Sequence, residues 1–354
     1  MTTNHRGGYR SFFWPIVLIT IGVVWLLKNI GLIYGINLGA LLRLWPLLLI
    51  VIGLDLLFGR RSPLLGALIG LAAAGLVVAL IWLAPSLGLV DKTELKTAHF
   101  SEPASGVEAA QITLDLSVGT TTVNALSDSN NLIEADLTYL GEVDFTATGE
   151  SQKTVTLRQT AADFNINLFD VLDTGRDLRW DIGLSPSVPL DLSITGDVGG
   201  SEFDLRALDL TGLDVTAGVG EVTLQLPPGR YPLRIDGDVG AFKITIPAGA
   251  GIEADINGGV GGFSIEISEG ADMNATITGD VGNFTITLPG DSAARISADV
   301  SLGNISIPAR FERVGGGERE GAGEQGVWET SNYSRADRKI TIDVQGDIGN
   351  LTVR

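Results

Sequence analysis

The sequence predicts a membrane protein in two parts, a helical membrane anchor followed by an all-β solenoid. Three observations predict this class. Asp55 is the only acidic residue before position 90, whereas the rest of the chain carries almost all the acids behind the net charge of −18. Three long apolar runs occupy the first part, and a Gly-Asp-Val-Gly motif recurs at a nearly fixed interval in the second part.

The three apolar runs are candidate membrane spans. A transmembrane helix needs about 20 apolar residues, and we expect spans at about 12–36, 38–58 and 64–89, after a cytoplasmic N-terminus of residues 1–11. Arginines precede the first span and separate the second from the third. Because positively charged loops remain in the cytoplasm, we expect the residues after position 90 on the extracytoplasmic side of a multi-pass cell-membrane protein.

The first two spans share a motif. The segment Trp14-Pro15-Ile16-Val17-Leu18-Ile19-Thr20-Ile21-Gly22 of the first run recurs in the second run as Trp45-Pro46-Leu47-Leu48-Leu49-Ile50-Val51-Ile52-Gly53. Proline is tolerated early in a helix, tryptophan suits the membrane interface and glycine lets helices approach closely. The candidate helix-packing or membrane-interface residues are therefore Trp14, Pro15, Gly22, Trp45, Pro46 and Gly53. They form either a simple anchoring hairpin or a helix pair that binds another membrane protein.

The second part repeats with a period of about 20 residues, which predicts a stack of repeats. The apolar residue of the motif falls at 198, 219, 239, 260 and 281, in steps of 21, 20, 21 and 21. Alternation of apolar and polar residues between these marks is typical of half-buried strands. We expect an irregular β region with the first coils at 91–189. A regular β-solenoid at 190–354 follows, with two strands and two turns in each coil.

Both ends of the repeat region depart from this period. Val118 precedes Val198 by about four periods, so the solenoid is expected to begin near residue 111. A surplus at 310–335 is rich in glycine and charge, which predicts an extruded loop.

The last strand, 351–354, has no evident cap in the sequence. An unpaired strand edge is a template for pairing, so we expect either a homo-oligomer formed through the C-terminal end of the solenoid or a partner strand that pairs there.

The motif itself contains the candidate solenoid-turn residues. These are Asp197, Gly199, Asp238, Gly240, Asp280, Gly282, Asp347 and Gly349. Aspartate before a tight turn bonds its own backbone, whereas stacked acidic turns in other repeats bind calcium. The first interpretation is favoured, because Gly218 and Gly259 replace the aspartate in two repeats and calcium takes six to eight oxygen ligands.

The composition excludes several classes of function. The chain has no cysteine and only His5 and His99, which removes thiolate chemistry and cysteine-based metal sites. Its acidity argues against nucleic-acid binding. No histidine lies near the abundant Ser and Thr residues to activate them, and the glycine clusters lack the strand-to-helix setting of a phosphate-binding loop. We therefore expect no catalytic residue, cofactor or metal, and no enzyme activity.

Two segments resemble a known family. The doubled Trp-Pro-x-x-Leu-Ile-x-Ile-Gly helices resemble the LiaI/LiaF-type transmembrane region. The segment from Trp180-Asp181-Ile182-Gly183-Leu184 through Gly218-Val219-Gly220 to Leu224-Gln225-Leu226-Pro227 resembles the toast-rack domain of LiaF-like proteins. The three expected spans depart from the four usual in that family, and the solenoid is longer, closer to adhesins with the same repeat.

The resemblance implies a bacterial membrane protein of the cell-envelope stress response. LiaF-like proteins act by restraining a membrane sensor kinase, and the family offers no catalytic residue to carry over. The expected function is a non-enzymatic sensor or regulator that acts through protein contacts, with the lipid bilayer and a sensor kinase or another envelope protein as partners. The alternative is a cell-surface scaffold or adhesin that displays a β-solenoid.

Overall fold

The structure is a computed structural model that describes residue 75 and residues 95–160, 178–316 and 323–354. The chain divides into two compact units, Met1–Thr93 with Phe164–Thr174, and Glu94–Asp163 with Gly175–Arg354. The described residues other than Gly75 all belong to the second unit. Apart from Gly75, the three expected spans lie outside the described residues, and within those residues no helix is long and apolar enough to cross a membrane.

In the described part of the chain, sixteen β-strands join into one sheet. A 3-10 helix, Tyr333–Arg335, precedes the last strand. The strands are β1 (Lys96–Pro103), β2 (Ala109–Val118), β3 (Thr120–Ala125), β4 (Asn131–Tyr139), β5 (Glu142–Thr148), β6 (Gln152–Thr160), β7 (Arg179–Leu184), β8 (Pro189–Asp204), β9 (Asp209–Gln225), β10 (Gly229–Ile246), β11 (Ala250–Ile267), β12 (Asp272–Thr287), β13 (Ala294–Ser306), β14 (Phe311–Gly315), β15 (Glu324–Thr330) and β16 (Ile340–Val353).

The strands β8 to β12 run parallel and pair in sequence order, so that each repeat forms one layer of a stack. Their register places equivalent residues directly on one another. The rings of Phe242, Phe263 and Phe284, for example, stack with centroids 5.0 and 5.8 Å apart. The period seen in the sequence is therefore the length of chain needed to complete one layer.

Each long strand bends sharply at the Gly-Asp-Val-Gly motif. A Cβ atom on Gly237 would overlap the ring of Phe242, although five residues of straight strand span about 16 Å. Asp238 is skipped in the ladder. The buried positions also change parity there, from odd numbers such as Ile235 to even numbers such as Ile244. The motif is thus a corner that lets the apolar residues on both sides of it face one core.

The expected coil of two strands and two turns is wrong in one respect. Inter-layer hydrogen bonding continues on both sides of the corner, so each repeat from β8 to β12 is a single bent strand of 16 to 18 residues. The repeat then closes with one turn, as at Pro247-Ala248-Gly249, where Gly249 has φ +79°. The alternating apolar residues between the motifs are buried on both sides of the corner; they are Phe242, Ile244, Ile246, Ile252, Ala254, Ile256, Phe263, Ile265, Ile267, Met273, Ala275, Ile277, Phe284, Ile286, Leu288, Ala294, Ile296 and Ala298.

At the N-terminal end, shorter strands share one layer in pairs. The strands β2 and β3 pair with the two halves of β8, and β6 and β7 pair with the other edges of β2 and β3. Antiparallel strands β5 and β4 then cover β6 and β7, and β1 pairs with β4. Val118 pairs directly with Val198, so the expected interval of about four coils is wrong. The strands β3 to β7 build the end of the stack instead.

At the C-terminal end, the last strand lies inside the stack. The strand β16 pairs with β12 on one edge and β13 on the other, so Leu351 lies between Phe284 and Ile305. Beyond β13, the antiparallel hairpin of β15 and β14 covers the stack. The extruded loop expected at 310–335 and the open strand expected at 351–354 are therefore both corrected. The strand β15 pairs with β13, because an uncovered parallel edge would leave its backbone groups unpaired.

Candidate functional site

The corners of successive layers stack into a column along the solenoid. Its centre is a glycine in every layer, in the spatial order Gly119, Gly199, Gly220, Gly240, Gly261, Gly282, Gly349 and Gly303. A Cβ atom on any of these after Gly119 would lie closer than 3.0 Å to the carbonyl oxygen of the preceding glycine. Seven of the eight have φ between +139° and +158°. The predicted residues Gly199, Gly240, Gly282 and Gly349 all belong to this column, where only glycine fits.

The apolar residue of each motif is exposed and forms what we call the aliphatic ridge. Its members, with their exposed fractions, are Val198 (47%), Val219 (51%), Val239 (48%), Val260 (51%), Val281 (42%), Ile348 (49%) and Leu302 (47%). Neighbouring strands lie about 4.8 Å apart, so the ridge is about 29 Å long. Contiguous exposed apolar surface rimmed by polar residues is typical of an interaction site.

The residue directly before the ridge in each strand forms the first flank, and it is an aspartate in four of the seven strands. In the described residues, the carboxylates of Asp238, Asp280 and Asp347 accept no hydrogen bond, so the capping bond expected at the turn is not made there. A Cβ atom on Gly218 or Gly259 would approach the carbonyl oxygen of the aspartate in the layer before it to less than 3.0 Å. The backbone at these two positions therefore leaves no room for an aspartate side chain.

One carboxyl group of the first flank has a shifted pKa. Burial raises the pKa of Asp197, and the nearby charge of Asp115 raises it further. Across the residues that the structure describes, no group of three or more His, Asp or Glu side chains is arranged to hold a metal ion. The corner column thus presents exposed apolar residues with most of its acids along one side.

The second flank, two residues after the ridge, is mostly uncharged. Its C-terminal layers carry an asparagine ladder, in which Asn350 Nδ2 donates to Asn283 Oδ1 at 3.0 Å and Asn304 Nδ2 donates to Asn350 Oδ1 at 3.4 Å. Glu221 is the only charged residue of this flank among the seven ridge layers. The first flank thus carries an acid in four of the seven layers, whereas the second flank carries one only in β9.

A second polar cluster lies on β1, β4 and β7, at the N-terminal end of the stack. His99 Nδ1 and Asp136 Oδ1 are 2.8 Å apart, with side chains 57% and 71% exposed. Asp181 pairs with Arg179 and accepts a hydrogen bond from Thr122. Ion pairs this exposed contribute about 0–1 kcal/mol. The cluster joins neighbouring strands and offers no activated nucleophile.

The exposure of the apolar motif residue was missed at the level of sequence, where that residue served only to measure the period. A signal was present. Along β10 the apolar alternation runs on odd positions before the corner and on even positions after it, and Val239 lies between glycines where the parity changes. A residue at such a change of parity cannot share the buried face of both halves.

The predicted residues of the membrane spans, Trp14, Pro15, Gly22, Trp45, Pro46 and Gly53, lie outside the described residues. Their roles at a helix contact or a membrane interface remain predictions.

The fold defines a class of protein, a repeat protein that presents long surfaces rather than a single enclosed site. Residues 13–98 match the LiaF transmembrane domain, and residues 90–247 match the N-terminal domain of toast_rack, DUF2154. The chain therefore belongs to the LiaF-like family, with the two domains in the expected order. It is a membrane-anchored envelope protein, and neither matching family is a family of enzymes.

The solved structures that are similar to this chain include two bacterial proteins. A candidate cell adhesion protein from Clostridium sporogenes is 15% identical, covers 73% of this chain and 99% of its own, and has a TM-score of 0.43. A candidate adhesin from Bacteroides fragilis is 13% identical, covers 74% and 98%, and has a TM-score of 0.36. Among curated proteins, none matches the chain.

Proposed function

We propose that this protein is a non-enzymatic, membrane-anchored sensor or regulator of the bacterial cell-envelope stress response. The observation that carries the proposal is the union, in one chain, of a LiaF transmembrane domain and a toast_rack domain. In this proposal, three spans hold the N-terminus in the cytoplasm and place the solenoid on the extracytoplasmic side.

The geometry of the solenoid supports action through contacts. The layered backbone has its buried positions filled by apolar side chains, and both ends are covered by antiparallel strands. Such a body is rigid because every internal strand is hydrogen-bonded on two edges. A rigid body with an exposed ridge binds a partner through that surface, and such binding requires no catalytic pocket.

The helices provide the contact with the kinase in this proposal. Gly22 and Gly53 recur at the same place in two similar spans, where small residues allow helices to pack closely. Restraint of a kinase requires only that the protein bind its inactive state better than its active state. A difference of about 1–3 kcal/mol is typical of such coupling.

The test is recovery of a sensor kinase with the tagged full-length chain from bacterial membranes, before and after envelope stress. We expect a kinase to co-purify from unstressed cells, and we expect cells that lack the chain to contain more phosphorylated response regulator. Gly22→Leu with Gly53→Leu should release the kinase, whereas Gly70→Leu in the third run is the matched control. If no kinase is recovered and deletion leaves the phosphorylated regulator unchanged, the proposal is wrong.

Protease treatment of intact cells tests the topology. Cleavage within residues 91–354 is expected without cell lysis if the solenoid is extracytoplasmic. Protection until lysis would place the domain inside and would also remove the surface-adhesin alternative. If the domain is accessible, and cells bind an external surface through it without any kinase contact, the adhesin alternative replaces the proposal.

A further inference from the structure

We propose that the aliphatic ridge is the docking surface for a second copy of this chain. The ridges of the two copies face each other and run in the same direction. A two-fold axis parallel to the ridges relates the two copies. The proposal does not depend on the kinase contact. It replaces the self-association expected at the C-terminal end of the solenoid by self-association along the column of corners.

The exposed apolar residues are concentrated on one line. Nine large apolar residues are exposed in the described ranges, and seven of them belong to the ridge; the other two are Leu95 and Val314. Each of the seven could have been polar without loss to the core, because the core is filled from the two sides of the corner. An uninterrupted apolar line across seven layers therefore indicates a partner that covers it.

The spacing of the ridge matches a second stack of the same kind. Ridge residues follow one another at the inter-strand distance of about 4.8 Å. A helix laid along the ridge would present a turn at intervals of about 5.4 Å and would be out of step by ~4 Å after seven layers. An extended strand would present a side chain at intervals of about 6.6 Å. Another stack of parallel strands has the same spacing and stays in step over the whole length, and this chain is such a stack.

The distribution of charge across the ridge favours a parallel pair. In a parallel two-fold pair, the first flank of one copy faces the second flank of the other in the same layer. No layer has acids on both flanks: β9 has Gly218 opposite Glu221, whereas β12 has Asp280 opposite Asn283 and β16 has Asp347 opposite Asn350. Parallel pairing therefore avoids repulsion between acids and brings carboxylates toward amide donors. An antiparallel pair would place aspartate flank against aspartate flank.

A lipid surface is a poorer match for the same ridge. Tryptophan, tyrosine and basic residues favour membrane interfaces, and none of them lies on the ridge or its flanks in the layers β8 to β13 and β16. Acidic flanks are also repelled by the anionic headgroups of bacterial membranes.

The test uses single cysteines, because the natural chain has none. Val198→Cys and Leu302→Cys place a thiol at the two ends of the ridge in the full-length protein. Glu202→Cys and Ser306→Cys are the matched controls, because each is exposed and lies beyond the corner in the same strand. Oxidation in native membranes should give a disulfide-linked dimer for each ridge variant alone and not for the controls.

Adding Val239→Asp and Val281→Asp to either ridge cysteine should abolish the dimer. Both positions are exposed, so the layers should keep their resistance to protease. Equal cross-linking of ridge and control cysteines would overturn the proposal, as would absence of the dimer. Cross-linking only between Val198→Cys and Leu302→Cys chains would show an antiparallel pair and refute the parallel arrangement. Val198→Cys carrying an environment-sensitive dye should show no blue shift with phosphatidylglycerol vesicles, and a blue shift would favour a lipid surface instead.

Discussion

Replacement of Gly199 by alanine tests whether the glycine column holds the layers together. Gly199 has φ +150°, and a Cβ atom there would lie closer than 3.0 Å to the carbonyl oxygen of Gly119 in the neighbouring layer. The obstacle is backbone within a paired ladder, so β8 must move away from the layer of β2 and β3 to admit a methyl group.

The loss of stability caused by Gly199→Ala has two contributions. Backbone conformations reserved for glycine cost about 1–3 kcal/mol in other residues. Separation of the layers at the corner also weakens hydrogen bonds such as Gly119 N–H to Val198 O at 3.1 Å, each with a net value of about 0.5–1.5 kcal/mol. With one or two such bonds lost, Gly199→Ala should destabilise the corner by about 2–5 kcal/mol.

Two glycines provide controls for the separate contributions. Gly200 follows directly in the chain, has no positive φ and has open space around its Cβ position. Gly200→Ala should therefore be neutral or stabilising by up to about 1 kcal/mol. Gly249 has φ +79° but also open space, so Gly249→Ala should cost about 1–2 kcal/mol, the penalty of the left-handed conformation alone.

The assay is hydrogen exchange of the full-length chain in detergent micelles, read by mass spectrometry on peptides from β2, β3 and β8. A loss of about 2–5 kcal/mol corresponds to exchange that is faster by roughly 30-fold to several thousand-fold, since about 1.4 kcal/mol is a factor of ten. If Gly199→Ala exchanges like Gly200→Ala, the glycine column does not restrain the stack and the reasoning fails.

Three further predictions follow from the layers and their charges. Deletion of 340–354 removes the strand between β12 and β13, so hydrogen exchange should accelerate in β13 to β15 and stay slow in β9 to β11; retained protection of β13 would contradict the strand order. Phe263→Ala opens a gap in the aromatic stack and should cost about 3–5 kcal/mol, measured by exchange in β10 to β12, whereas the exposed Ser264→Ala should be within about 0.5 kcal/mol of wild type. Burial raises the pKa of Asp214. Ionisation of Asp214 therefore lowers the free energy of unfolding of the protein as pH rises from the unfolded pKa of this residue through its folded pKa. Asp214→Asn should raise the melting temperature at pH 7 and less so at pH 3. Burial opposes but does not outweigh the hydrogen bonds from Arg234 and Asn257 that lower the pKa of Asp236. Asp236→Asn should therefore lower the melting temperature at pH 7 and lose that effect on acidification, and a shift of the same sign in both variants would contradict the opposite pKa directions of the two carboxyls.

The periodic part of the solenoid could be predicted residue by residue, because its interactions are local in the repeat. Phe242 and Phe263 are one period apart in the sequence and contact each other in adjacent layers, so the period directly gives the stacking. The corner was also recognisable, although as a turn between two strands rather than a bend within one. That distinction depends on whether hydrogen bonds between layers persist through the bend, and no single repeat contains that information.

The ends of the stack could not be predicted in the same way. Ile348 pairs with both Val281 and Leu302, which lie far from it in the sequence. Nothing in the spacing of the motifs says that the last strand enters between two earlier ones. The expected loop at 310–335 had the composition of a mobile segment. One of its described parts, β15, instead pairs with β13, because that edge is available only in the folded stack.

The sequence by itself determined the segregation of apolar and acidic residues, the family motifs, the layer period and the buried positions. These follow from side-chain periodicity and from the chemistry of single residues. Only the tertiary structure decided the spatial order of the layers and the capping of both ends. It also decided the exposure of the ridge. These features depend on which backbone edges and corners remain uncovered once all layers are stacked. That outcome is determined by pairing between strands that are distant in the sequence.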